Sequence, residues 1–353
     1  MKMLALMLAA ALIVRTQSSV GPAIEHFLTE SFDFSSGHGT ALAQGRPVVR
    51  SLPSSDAREI ASVGAIRVDA APAEYVARLR DITKFKRGEN VAQIGTFSLQ
   101  PVIGDVERLT LPDDDRRDLA SCRRGRCAVQ LPAGAMERIA QSVEWATARA
   151  AEQADRAFRA EMIRMATDYL ELGEGGMPLY HDTLVTTSTA NEFRSMVWDE
   201  PALLRQFDSL SEHLRRFPQR TPGIDDLLYW SRETIGRAEV ISITHLAIQA
   251  VPDRFPVAFV AASRQVYATH YFDASLGITV LLADPSAIMD STVVVYANRS
   301  RLDVFGGLLG SMKRSIVASR SRAAMARFLT AIRQRVEKSD SSQLARRIER
   351  HAS

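Results

Sequence analysis

Apolar positions along the chain fall into two rhythms, and the first is a run of β-type blocks in the C-terminal third. The stretch 257–263 is uncharged, with small, β-branched and aromatic residues, and predicts a buried strand. It continues with a period of two, placing Gln265, Tyr267, Thr269 and Tyr271 on one face. Val266, Ala268, His270 and Phe272 fall on the other. Residues 273–275 predict a turn, and 276–282 a further strand stopped by Asp284-Pro285, because proline has no ladder donor. Blocks 240–250 and 291–298 are also β-rich, so four strands with short connections predict an antiparallel meander.

The second rhythm follows at once. Leu309, Met312, Ile316, Met325, Phe328, Leu329, Ile332 and Val336 recur at helical spacing within 308–338, giving one apolar face. A curved antiparallel sheet packed on a long C-terminal helix buries both surfaces, which makes the fold class α+β. Upstream, 60–68 predicts a strand with Gly64 at a bulge. Pro72 opens a helix whose Tyr75, Val76, Leu79 and Ile82 point inward. Between these parts, about 104–230 reads as a large helical insertion, with helices over 113–120, 133–145, 146–172, 190–198 and 201–216. Tyr229-Trp230 closes it as a core plug or cavity lid.

The segment 68–85 resembles the opening of START-like, helix-grip domains. Val68, Asp69, Ala70, Pro72, Glu74, Val76, Arg80, Asp81 and Phe85 carry the likeness. It implies an apolar cavity between sheet and helix that takes lipids, sterols or other hydrophobic ligands. The helical insertion departs from the simple helix-grip plan. Most of the chain is also similar to an uncharacterised group of exported bacterial proteins, through FKRGENVAQIGTFS, LASCRRGRCAVQLP, LLYWSRE, YATHYFDASLG and YANRSRLD. That second resemblance implies export and no particular activity.

Composition narrows the class. Of 353 residues, 46% are hydrophobic and 24% charged, as in a globular protein. A net charge of +3 does not point to nucleic acid. Basic residues gather late, at Lys313, Arg314, Arg320, Arg322, Arg327, Arg333, Arg335, Arg346, Arg347 and Arg350. They read as a solvated helix face with a basic flexible tail over 339–353, or as a contact with anionic membrane. At the other end, an apolar run over 3–14 behind Lys2 is shorter than the ~20 residues that span a bilayer. Residues 1–19 therefore read as a signal peptide or N-terminal anchor, which places the protein in the periplasm or envelope. The rest, 20–338, reads as a single α+β domain. In an oxidising compartment Cys122 and Cys127 form a local disulfide; two cysteines alone make a poor metal site.

No G-x-S-x-G, H-E-x-x-H or Walker pattern occurs, so the sequence leans away from an enzyme. Neither a cofactor nor a metal is called for; His245 could approach His270, but a third ligand is not evident. Asp113, Asp114 and Asp115 read as an exposed helix start. Arg264, Gln265, Tyr267, Thr269 and Tyr271 are candidates for the polar end of an apolar cavity, with His270 near its mouth. Asn298 and Arg299 are candidates for binding a phosphate or carboxylate. The sequence therefore reads first as an exported binding or carrier protein for a hydrophobic or amphipathic, lipid-like ligand. The alternatives are a hydrolase using His270, which would meet an Asp, Glu or Ser such as Ser263 or Ser275 in a cleft, and an envelope scaffold that interacts through the helical insertion.

Overall fold

An eight-stranded antiparallel sheet runs through the middle of the protein, with helices on both faces. The structure is a computed structural model and describes residues 20–198, 204–285, 290–303 and 310–351. Two helices open the described chain, α1 (Pro22–Phe32) and α2 (Ser36–Ala43). Strands β1 (Val48–Ser51) and β2 (Glu59–Val68) follow, then α3 (Pro72–Arg80), α4 (Ile82–Phe85) and β3 (Val91–Thr96). A mainly helical stretch comes next: α5 (Asp113–Leu119), α6 (Ala133–Ser142), α7 (Ala150–Leu172), the two-residue strands β4 (Leu179–Tyr180) and β5 (Thr187–Ser188), α8 (Thr189–Trp198) and α9 (Asp208–Arg216). The chain ends in β6 (Ile224–Ile235), β7 (Ala238–Arg254), β8 (Val257–Ala268), β9 (Phe272–Ala283), β10 (Thr292–Leu302) and α10 (Gly310–His351).

The strand order is β1-β2-β10-β9-β8-β7-β6-β3. Strands β6 to β10 form a continuous meander. Two early strands flank it, β2 beside β10 and β3 beside β6, so the α3–α4 connection crosses one face of the sheet. Because both faces are covered, neither can be uniformly polar. One face carries Val63, Ala65, Val295, Ile278, Val260, Ala262, Ile243 and Trp230 under the insertion helices, where Phe158, Met162 and Leu214 complete the core. The opposite face carries Ile66, Val68, Val294, Leu281, Ala261 and Leu246 beneath Tyr75, Val76, Leu79, Met325, Leu329, Ile332 and Val336.

Several expectations shift. The segment 224–235 is a twelve-residue strand and not the end of the helical region; it pairs with β7 along its whole length. The helical stretch therefore lies between β3 and β6. Gly64 sits in unbroken register in β2 and makes no bulge. A Cβ there would lie 2.7 Å from Leu329 Cδ1, so glycine is what lets α10 approach the sheet. The turn after β8 comes earlier than expected, at 269–271, and Asp273 to Ser275 belong to β9. Tyr271 takes the left-handed conformation there, with φ 70°. Ile316 is exposed rather than part of the packed helix face, and the side chains of Leu309 and Met312 lie outside the described residues. The stretch expected as a loose tail continues as helix to His351, and its side chains from 338 onward are not described. Residues 1–19, read as signal or anchor, also lie outside the description. No described helix is long and apolar enough to cross a membrane.

Candidate functional site

Along the face that carries α3, α4 and α10, the sheet changes character halfway. The part under Val76 and Val336 is apolar. The adjoining part is built from small polar side chains at alternate positions of four neighbouring strands. These are Ser242 and Thr244 on β7, Ser263 and Gln265 on β8, Ser275 and Thr279 on β9, and Asn298 and Ser300 on β10. Here α10 and the sheet do not close on each other, and a cavity of about 360 Å³ separates them. Its roof is apolar, with Leu79, Ile82, Phe85, Met325, Phe328 and Ile332. Gly277 lies in the floor, where a Cβ would meet the Tyr296 hydroxyl at 2.7 Å; its missing side chain makes room for that ring.

A half-buried ion pair sits in the same wall. Lys86 Nζ donates to Glu233 Oε1 at 2.6 Å and lies 5.2 Å from the centre of the Tyr229 ring. Ser231 Oγ donates to the same carboxylate oxygen at 2.5 Å. Burial works against both charges, but each holds the other: Glu233 lies below the usual carboxylate range and Lys86 above the usual amine range. Burial also pushes the Tyr296 phenol up to about 12, so it stays protonated and offers a donor at neutral pH. Some floor groups bond to one another. Ser275 Oγ is 2.7 Å from Ser300 Oγ, and Ser300 Oγ donates to Asn298 Oδ1 at 2.9 Å. Gln265 Oε1 is buried with no hydrogen-bond partner.

Of the expected ligand contacts, Gln265 and Asn298 line this cavity and the other six do not. Val266 occupies a bulge opposite Ile243 and Thr244, which breaks the alternation of β8. Val266 and Tyr267 therefore both join the core under the insertion helices. Tyr267 Oη donates to the Gln130 carbonyl at 3.0 Å, and Thr269 Oγ1 accepts from the Ile241 amide at 3.0 Å. Arg264 is fully buried on that same far side. It donates to the Leu214 carbonyl at 3.1 Å, pairs with Glu174 at 2.8 Å and stacks over Phe193. Arg299 is held by the Glu59 carboxylate and by the Pro53 carbonyl at 3.2 Å. Tyr271 belongs to the tight turn and packs on a small cluster with Ile60 and Leu302.

His270 meets Asp115, with Nε2 and Oδ1 2.8 Å apart. Burial tends to lower the pKa of His270, but the Asp115 carboxylate and the Ala128 backbone outweigh it and raise it. Asp115 is buried and so is not part of an exposed acidic helix start; Asp113 and Asp114 pair with Arg116 and Arg117. Ser263 and Ser275 line the cavity, which His270 does not, so neither serine is placed as its nucleophile. His245 approaches His213 and Asp226, and not His270. Cys122 and Cys127 are joined by a disulfide.

Sequence reasoning missed Lys86, Glu233, Ser242, Thr244, Thr279 and Tyr296. The signal was present as small polar residues at alternate positions of β7 to β10, but only pairing the strands in register assembles them into one patch.

No known protein family matches the chain, and no curated protein does. Among solved structures, the Zhui aromatase/cyclase from Streptomyces sp. R1128 is similar at 14% identity and a TM-score of 0.24. The match covers 41% of this chain and 86% of that one, and likeness at this level does not define the fold.

Proposed function

We propose that the chain is a binding protein for a small amphipathic ligand. The ligand lies in a helix-grip arrangement between the hydroxyl-rich patch of the sheet and the apolar underside of α3, α4 and α10. The observation that carries this reading is the abrupt change along one sheet face. Polar groups are costly to place beneath a helix unless something satisfies them. The same face uses valine, isoleucine and leucine where it packs solidly, and serine, threonine, asparagine and glutamine where the cavity lies.

This chemistry favours a compact ligand with polar groups along one edge over a plain acyl chain. Ser242, Ser275, Asn298 and Ser300 already bond within the protein, so the ligand's polar edge has mainly Gln265 to satisfy, at about 1–3 kcal/mol for a buried group left without a partner. Gln265 Oε1, lacking a partner, suits a donor on the ligand. The proposed setting is the periplasm or envelope, supported by the apolar run at 3–14 and by a disulfide of the kind that persists in oxidising compartments. Contact with anionic membrane would fall to the exposed cations of α10. Arg314, Arg322, Arg333 and Arg335 of α10 are engaged within the protein, while Arg320 and Arg327 are exposed.

The test is native mass spectrometry of the protein from an envelope fraction, followed by solvent extraction of the bound species. A discrete adduct in the wild type that is lost in Ser263→Phe, which fills the cavity, supports the reading. An equal adduct on both proteins, or none on either, counts against it.

A further inference from the structure

On the sheet face opposite the cavity lies a buried trio that the ligand-binding reading does not use. His213 comes from the end of α9, Asp226 from β6 and His245 from β7. In the β6–β7 register Asp226 stands opposite Ala247, and Leu228 opposite His245. Asp226 and His245 are therefore diagonal neighbours on one face. His213 packs onto them from the helix above.

The geometry converges on one carboxylate oxygen. His213 Nε2 lies 2.7 Å and His245 Nε2 2.8 Å from Asp226 Oδ1. The three atoms all lie within 4.8 Å of one another. Both imidazoles are 1% exposed. Their outer nitrogens are held as well: His245 Nδ1 is 2.8 Å from Tyr169 Oη, and His213 Nδ1 is 3.1 Å from Thr221 Oγ1. A hydroxyl both donates and accepts, so each partner fits either imidazole tautomer. When the hydroxyls accept from Nδ1–H, both Nε2 lone pairs face inward beside the carboxylate. A fixed outer hydrogen bond of this kind is what orients a metal-ligating histidine. Phe217, with its ring 4.3 Å from that of His245 and stacked on Tyr169, shields the trio. The neighbouring cation, Arg264, is matched by Glu174 at 2.8 Å.

We propose that His213, Asp226 and His245 form a site for a divalent transition metal of the zinc type, held by two imidazole nitrogens and one carboxylate oxygen. Two nitrogen donors argue against calcium and magnesium, which take oxygen ligands. Three protein ligands leave a four-coordinate ion one position for a small exogenous ligand. The site stands independently of the cavity, being on the other side of the sheet.

The test uses the full chain stripped with a chelator and titrated with Co²⁺ alone, then with Zn²⁺ as competitor. The expected result is a visible cobalt absorption that saturates at one equivalent and is abolished by an equivalent of zinc. Asp226→Asn keeps an oxygen acceptor but loses the charge, and the saturable absorption is expected to disappear. Tyr169→Phe leaves all three ligands in place and is expected to weaken binding by about 10–100-fold. If Asp226→Asn does not fold, His213→Gln takes its place and is read in the same way. A wild type without saturable absorption, or a ligand variant that binds as the wild type does, overturns the proposal and leaves the trio as a hydrogen-bonded network.

Discussion

At the scale of single residues, the polar side chains buried on the insertion side of the sheet act mainly as fastenings. Arg264, Tyr267, Thr269 and His270 read from the sequence as a ligand-facing group, and each reaches a protein partner instead. Their residue types were legible, but their partners lie dozens of positions away in the chain. Asp273 is the residue with the clearest pH signature. Burial, Asp303 and Glu192 raise its pKa to about 7, against the pull of Arg58 at 3.6 Å. A raised carboxylate pKa makes the folded state hold a proton that the unfolded chain releases from about pH 4 upward. Its contribution to stability is therefore fullest below pH 4 and is lost as pH rises through 7, by at most about 4 kcal/mol. In denaturant melts, Asp273→Asn should gain on the wild type between pH 5 and pH 8. A constant difference between the two across that range would show Asp273 ionised in the folded protein.

At the scale of elements, α10 and β2 depend on each other. Gly64 lets Leu329 and Met325 come within contact of the strand, and Leu329 is fully buried there. Leu329→Ala should cost about 2–5 kcal/mol, as other large-to-small core changes do. Gly64→Val should push α10 away from the sheet and weaken any cavity ligand while the secondary structure remains. Circular dichroism combined with the adduct measurement separates those two effects; an unchanged adduct in Gly64→Val would show that α10 does not set the cavity roof. The four meander blocks were legible because two-residue alternation survives without knowledge of partners. β6 was not, because 224–235 has charges at both ends and follows a run of helices. Its strand character comes from pairing with β7 on one side and β3 on the other.

At the scale of the whole molecule, one sheet serves two cores. The insertion helices pack on one face, and α3, α4 and α10 on the other. Neither set buries its apolar face without the sheet, so the two layers should unfold together. Phe158→Ala on one side and Leu329→Ala on the other should each lower the same single denaturation midpoint, read by tryptophan fluorescence and by far-ultraviolet circular dichroism. Two separated transitions would mean that the layers are independent. The double variant should be close to additive, because the sites share no partners.

The sequence by itself determined the mixed α+β class, the antiparallel meander, the helical stretch between the early and late strands and the pairing of Cys122 with Cys127. These follow from local periodicity and short spacing, which need no partner to be read. Only the tertiary structure decided which face of each strand meets the cavity, because one bulge at Val266 reverses the alternation downstream of it. It alone decided that His245 joins His213 and Asp226, and that hydroxyls from four strands form a single floor. Both arrangements come from strand register and helix docking, and these are fixed by the packing of the whole sheet.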